Sequence, residues 1–258
     1  MEQHQNPNTD KSTLLLLVLG MFFLTNVILA ELIGVKLFSL EETFGFKPFN
    51  WNLFGISGSL NFTVGVILWP LVFIMTDILN EYYGVKGVRR LSYIAVALVS
   101  YAFIMIYAAI NVAPAGFWVS TNVDKGVPNM QTAYAVIYGQ GLWIIGGSII
   151  AFLFGQLVDV TAFHKIKKVT GEKSIWLRAT GSTVISQLFD SIIVLYVAFV
   201  IPGSWTLNQF FAFALVNYIY KLSAAVALTP ALYWVHNIID KFLGKELSEK
   251  MRAEAMKN

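Results

Sequence analysis

The sequence predicts an all-α polytopic membrane protein, a bundle of six transmembrane helices with both termini cytoplasmic. Three observations carry that reading. Of 258 residues, 57% are hydrophobic and only 13% charged, about half the charge of a soluble domain, which runs near 25%. Apolar runs at residues 14–35, 62–79, 91–113, 134–158, 175–201 and 209–235 reach or approach the roughly 20 residues that cross a bilayer core as helix. Lysine and arginine, finally, sort onto alternate connections.

The first run, Leu14 to Ala30, follows a polar tail and has no small-residue cleavage pattern before Glu31, so it reads as a retained span and not a removed leader. Residues 1–12 are expected to form a disordered cytoplasmic tail, residues 13–236 the six-helix transmembrane domain, and residues 237–258 an amphipathic cytoplasmic tail in which Ile238, Ile239, Phe242, Leu243 and Leu247 alternate with charges. Segments 37–60 and 114–133 hold Pro48, Pro114, Pro128 and several glycines and aromatics, which reads as external loop. Trp69 and Pro70 interrupt the second run, because proline lacks the donor that a helix interior needs. The tryptophans, Trp51, Trp118, Trp143, Trp176, Trp205 and Trp234 among them, mostly sit near run ends, where an amphipathic ring is favoured.

Lys11; Lys86, Arg89 and Arg90; Lys165, Lys167, Lys168 and Lys173; and Lys241, Lys245, Lys250, Arg252 and Lys257 fall on one side of this scheme. The other side receives Lys36, Lys47 and Lys125. Positive residues are retained in the cytoplasm, which sets an even number of crossings.

Composition also excludes chemistry. With no cysteine there is no disulfide, thiol nucleophile or thiolate metal site, and His4, His164 and His236 are too scattered for a ligand set. No metal or cofactor is expected. A net charge of +3, already explained by topology, gives no reason to expect nucleic acid.

Charges inside apolar spans cost at least about 2.5 kcal/mol on insertion scales and normally face protein or water. Here they recur at helical spacing: Asp77, Asn80 and Glu81; Gln156 and Asp159; Gln187 and Asp190; Asn217 and Lys221. Residues three or four apart share a face, so four helices each carry a polar stripe, and the least costly arrangement turns all four toward one hydrated cavity. Asn26, Gln187, Asp190, Asn217 and Lys221 fall near mid-depth. Asp77, Asn80, Glu81, Asp159 and Arg178 lie toward the cytoplasmic ends. Asp190 with Lys221 reads either as a buried ion pair or as part of a binding site. Gly147, Ala151 and Gly155, with Ser182 and Ser186, form small faces that allow close approach within one chain or between two copies.

A carboxylate accepts N–H groups, while an amide both donates and accepts, and aromatic rings can stack on a planar heterocycle. Many polar solutes satisfy that chemistry. An intramembrane hydrolase would need a nucleophile with a base beside it, or facing carboxylates; Asp159 with Asp190 is the matched pair between neighbouring spans. A membrane subunit capturing solute for a separate motor is a third reading, since no G-x-x-x-x-G-K-[ST] phosphate loop occurs.

The strings Thr76-Asp77-Ile78-Leu79-Asn80-Glu81-Tyr82-Tyr83-Gly84 and Arg89-Arg90, then Arg178 ahead of Gly181-Ser182-Thr183, Ser186-Gln187 and Asp190-Ser191, and Lys221 ahead of Thr229-Pro230, resemble the queuosine-precursor transporter family, also known as vitamin uptake transporters. The likeness runs from the first span to His236. It implies import of 7-deazaguanine bases such as preQ0 and preQ1 across the bacterial inner membrane, with no enzymatic activity. It marks Asp77, Asn80, Glu81, Gln156, Asp159, Arg178, Gln187, Asp190 and Lys221 as motif positions without assigning their roles. On the residue reading, Asn26, Asp77, Gln156, Gln187, Asp190, Asn217 and Lys221 are candidate substrate contacts, and Asn80, Glu81, Asp159 and Arg178 a gate or charge network.

Overall fold

A computed structural model describes residues 7–139, 141–170 and 175–256. His4, Lys173 and Lys257 and the first part of the tail lie outside the described residues, as does the Trp176 side chain. Helices dominate: α1 (Pro7–Ile33), α2 (Leu40–Phe44), α3 (Trp69–Asn111), α4 (Gly116–Val119), α5 (Met130–Tyr138), α6 (Leu142–Thr170), α7 (Ile175–Leu195), α8 (Leu207–Ala227), α9 (Thr229–Leu243) and α10 (Lys245–Ala255). Five helical stretches among the described residues are long and apolar enough to cross a membrane: Asp10–Ile33, Val64–Asn111, Met130–Thr170, Leu177–Val200 and Leu207–Ala227. Large apolar side chains such as Met21, Ile104, Ile150 and Ile219 stand on the outer surface, as expected where lipid replaces water as solvent. The protein is an all-α membrane protein.

The second and third apolar runs join in one 43-residue element, α3. Residues 80–90, expected as a cytoplasmic connection, continue as helix on both sides of Gly84, whose φ of 69° and ψ of −175° break the helical path. Glycine is required there twice over. The backbone occupies a region that side chains rarely adopt, and a Cβ would come within 2.7 Å of the Ala255 carbonyl oxygen in α10. Pro70 sits in the first turn of α3, where a missing donor costs nothing, and a 3-10 turn at Val64–Ile67 leads into it.

Residues 37–60, expected as loop, form two short antiparallel ribbons together with Asn61–Thr63 at the start of the second apolar run. β1 (Leu37–Ser39) pairs with β4 (Asn61–Thr63), and β2 (Trp51–Leu53) pairs with β3 (Ile56–Gly58). Glu41 pins them together. It is 3% exposed, and its carboxylate accepts the Leu60 N–H at 2.7 Å, the Phe49 N–H at 3.3 Å and the Ser39 hydroxyl at 3.2 Å. Trp51, expected as an interfacial anchor, is instead buried in this cap, donating from Nε1 to the Ser59 carbonyl at 3.0 Å and packing edge-on against Phe213 at 5.4 Å.

The last apolar run also divides. α8 gives way to α9 at Leu228 (φ −88°, ψ −3°), with Pro230 in the first turn of α9. α10 then turns back onto α3. Phe23, Val72, Ile78, Leu79, Val160 and Phe163 form the centre of the apolar core where α1, α3 and α6 meet.

Candidate functional site

The polar stripes of α3, α6 and α7 face one another. Thr76 donates to Gln156 Oε1 at 2.8 Å, Asn80 Nδ2 donates to the Val160 carbonyl at 3.2 Å, and Ser186 donates to Asp159 Oδ1 at 2.9 Å. Ser182, whose hydroxyl donates to the Ala179 carbonyl at 3.1 Å, neighbours the carboxyl groups of both Asp77 and Asp159. Toward one end of this seam, Glu81 holds two cations. Arg178 Nη2 is 2.7 Å from Oε1 and Lys167 Nζ is 3.0 Å from Oε2. Toward the other end, Lys221 of α8 is ion-paired with Asp190 of α7, and Ser148 of α6 donates to Glu31 of α1.

The convergence expected of four stripes is therefore present, with the α8 stripe joined through Lys221. Asn26 is buried but turned to its own helix, donating to the Phe22 carbonyl at 2.8 Å. Asn217 is half-buried, one turn before Lys221 on α8. The expected wet cavity is much reduced. Asp77 lines a cleft of about 20 Å³, with Pro70, Phe73, Thr183, Thr229 and Leu232 among its walls. That holds about one water molecule. A larger groove of about 450 Å³ between the ends of α6 and α7 is lined by residues such as Ile166, Val169 and Leu177 and by none of the stripe residues.

Several polar atoms in the seam are buried with no hydrogen-bond partner among the described residues: Asp77 Oδ1, Asn80 Oδ1, Gln156 Nε2, Asp159 Oδ2, and both amide atoms of Gln187. A buried polar group left without a partner costs about 1–3 kcal/mol. Such atoms are natural points of contact for a solute that brings its own donors and acceptors.

Sequence reasoning missed three participants. Lys167, counted with the loop cations, is 2% exposed and bound to Glu81. Its position was legible, because Gln156, Val160, Phe163 and Lys167 fall on one helical face. Thr76 and Ser182 are short hydroxyl residues that a helix usually satisfies by itself, so they stood only as letters of the family strings and, for Ser182, as part of a small packing face. His236 is a buried, bonded histidine in a network the sequence did not reveal. Its Nδ1 lies 3.0 Å from the Tyr82 hydroxyl, which is 2.7 Å from Asp240 Oδ1. One phenolic proton serves Asp240, so the imidazole Nδ1–H donates to the Tyr82 oxygen. Asp240 also accepts from Ser248 and lies 3.6 Å from Arg252 Nη2. Burial alone would raise the Asp240 carboxyl, but the Ser248 and Tyr82 hydroxyls and the Arg252 guanidinium outweigh it and hold the group below the ordinary carboxylate value.

The profile of the vitamin uptake transporter family matches residues 63–235, from the approach to α3 to the residue before His236 in α9. A probable queuosine precursor transporter of Bacillus subtilis is 29% identical over 190 residues, 73% of this chain and 76% of that protein. A probable queuosine precursor transporter of Haemophilus influenzae is 24% identical over 76% of this chain and 77% of its own length, and the queuosine precursor transporter of Escherichia coli 23% identical over 75% and 80%. No solved structure matches the chain. With the profile spanning both halves of α3, the α6–α7 seam and the Lys221 helix, the chain belongs to the vitamin uptake transporter family.

Proposed function

We propose that this protein carries 7-deazaguanine precursors of queuosine, such as preQ0 and preQ1, inward across the bacterial inner membrane. The kinship with three queuosine precursor transporters supports the substrate class. The unpartnered buried atoms of Asp77, Gln156, Asp159 and Gln187 are the observation that carries the reading. A deazaguanine presents a ring N–H and an exocyclic amino group beside a carbonyl. Carboxylate oxygens of Asp77 and Asp159 accept the donors, and the Gln156 and Gln187 amides meet the carbonyl while offering a further acceptor. Asp190 and Lys221 already satisfy each other, so their part in this scheme is to hold α7 against α8, with Asn217 and Asn26 flanking the path at similar depth. Glu81, Arg178 and Lys167 close the cytoplasmic end as the gate, with Asn80 fastening α3 to α6.

In this reading α3 supplies two crossings separated at Gly84, since 43 residues of helix would measure about 65 Å against a hydrocarbon core of roughly 30 Å. That makes six crossings with both termini in the cytoplasm, residues 13–236 forming the transport domain. The cleft at Asp77 is far too small for a heterocycle, so this conformation is an occluded one and entry requires the helices to part. The small faces around Gly147, where a Cβ would lie 3.1 Å from the Val194 carbonyl, serve packing of α6 on the end of α7.

The test is uptake of labelled deazaguanines by cells lacking their own synthesis route, in competition with guanine, other bases and unrelated vitamins. Competition by deazaguanines alone supports the assignment, and equal competition by an unrelated vitamin removes it. Uptake by the purified chain in vesicles separates a self-sufficient carrier from a capturing subunit.

A further inference from the structure

Beyond the identity of the solute, the charges of the α3–α6–α7 seam do not balance. Three carboxyl groups, Asp77 and Glu81 of α3 and Asp159 of α6, share it with two cations, Lys167 of α6 and Arg178 of α7. Both cations lie against Glu81. The other groups at this end belong to α9 and α10. His236, through Tyr82, leads to Asp240, and Asp240 is matched by Arg252. On the far side Lys221 is matched by Asp190, which also feels Glu31. Arg178 also acts electrostatically on Asp77, so two cations are shared among three carboxyl groups.

These two carboxyls are 4% and 0% exposed and share Ser182 as a neighbour. Each keeps one oxygen without a hydrogen-bond donor. Two ionised carboxylates in one dry site repel each other and forgo hydration, which is why paired carboxyls elsewhere titrate as a unit with one proton retained. Two independent features mark the place as built for a small occupant. The Gln156 amide, 1% exposed and held by Thr76 at the level of Asp77, has its Nε2 donor unfilled, and the cleft beside Asp77 has room for one water.

We propose that Asp77 and Asp159 together bind one proton within the membrane-embedded seam when no solute is present. The proton occupies oxygens that a bound base would also use, so solute and proton report on the same site. The site is a property of this seam whatever the solute, and it survives if the deazaguanine assignment fails.

Infrared difference spectroscopy on the purified protein in detergent tests it directly. Two wild-type samples at neutral pH, one with 13C-labelled aspartate, should show a protonated carboxylic acid band that moves with the aspartate label and shifts in D2O. A Glu31 contribution would not move with the label. The band should be lost in Asp77→Asn/Asp159→Asn, with size-exclusion and circular dichroism reporting whether that variant is folded; the isotope result stands without it. Absence of an aspartic acid band at neutral pH overturns the proposal. So does a band unchanged in the folded double variant, or one that sodium abolishes at constant pH, which would mark a metal-cation site. Deazaguanine uptake is scored separately, so loss of either conclusion leaves the other decided.

Discussion

Arg178 Nη2 and Glu81 Oε1 stand 2.7 Å apart with their side chains 1% and 0% exposed, and Lys167 closes on the other oxygen of the same carboxylate. Removing one member of a buried charge group strands the rest, at a cost of about 3–5 kcal/mol. Glu81→Ala should therefore unfold at markedly lower temperature than wild type in detergent. Arg178→Lys, which keeps the charge but loses the planar fork, should fall between. Equal thermal stability of all three would mean that the trio does not hold that end of the seam together.

Gln187 separates binding from stability. Both of its amide atoms are buried without partners, so Gln187→Leu removes no hydrogen bond from the empty protein and should leave its unfolding temperature unchanged or slightly raised. Uptake should fall about tenfold, the worth of a hydrogen bond near 1.4 kcal/mol. A variant that transports normally would take Gln187 out of the solute path.

For Asp190 the opposite holds. Asp190→Ala leaves the Lys221 ammonium buried and alone, so both uptake and stability should drop. Asp190→Asn combined with Lys221→Met removes the stranded charge. If the pair serves to hold α7 on α8, stability returns in the double variant beyond the sum of the singles, the signature of coupled neighbours.

The distribution of legible and hidden features follows from the physics. The Gln-x-x-Asp pairs of α6 and α7 were readable because charge inside an apolar run has few reasons to exist and helical spacing fixes its direction. Lys167 hid among neighbouring loop lysines, although it shares a face with Gln156. The ribbons at 37–63 were illegible because three-residue strands carry no periodicity, and Glu41, which organises them, looks like any surface acid. The break at Gly84 depends on contact with Ala255, some 170 residues further along the chain, which no local pattern contains.

Gly84→Ala should be severe for that reason. A side chain there meets both an unfavourable backbone conformation and the Ala255 carbonyl. The expected result is a loss of about 1–3 kcal/mol, with α10 released and cut more readily by protease. Truncation before Lys245 should relieve the clash but not the backbone strain, so the difference in stability between the glycine and alanine forms narrows without vanishing.

Acidification should loosen the same region. Burial pushes the His236 imidazole down to about 4, despite the opposing pull of Asp240, against an ordinary value near 6.5. Between those values the unfolded chain takes up a proton that the folded one refuses. The stability due to neutral His236 is therefore complete above about pH 6.5 and declines as pH falls toward 4. Asp240, held low, contributes stability above the ordinary carboxylate value and loses it only in stronger acid. Melting curves from pH 7.5 to 5 should show this decline in wild type and a flatter course in His236→Asn; parallel curves would assign the slope to other groups.

The Asp77 cleft lies between two proline-marked junctions, Pro70 at the head of α3 and Thr229–Pro230 at the head of α9. α6 and α7, by contrast, pack along their length. The prolines place two helix heads on one side of the cleft, while Ala179, Thr180 and Thr183 opposite them belong to the single helix α7. A berth one water wide is thus framed unequally, by the starts of two helices against the middle of a third.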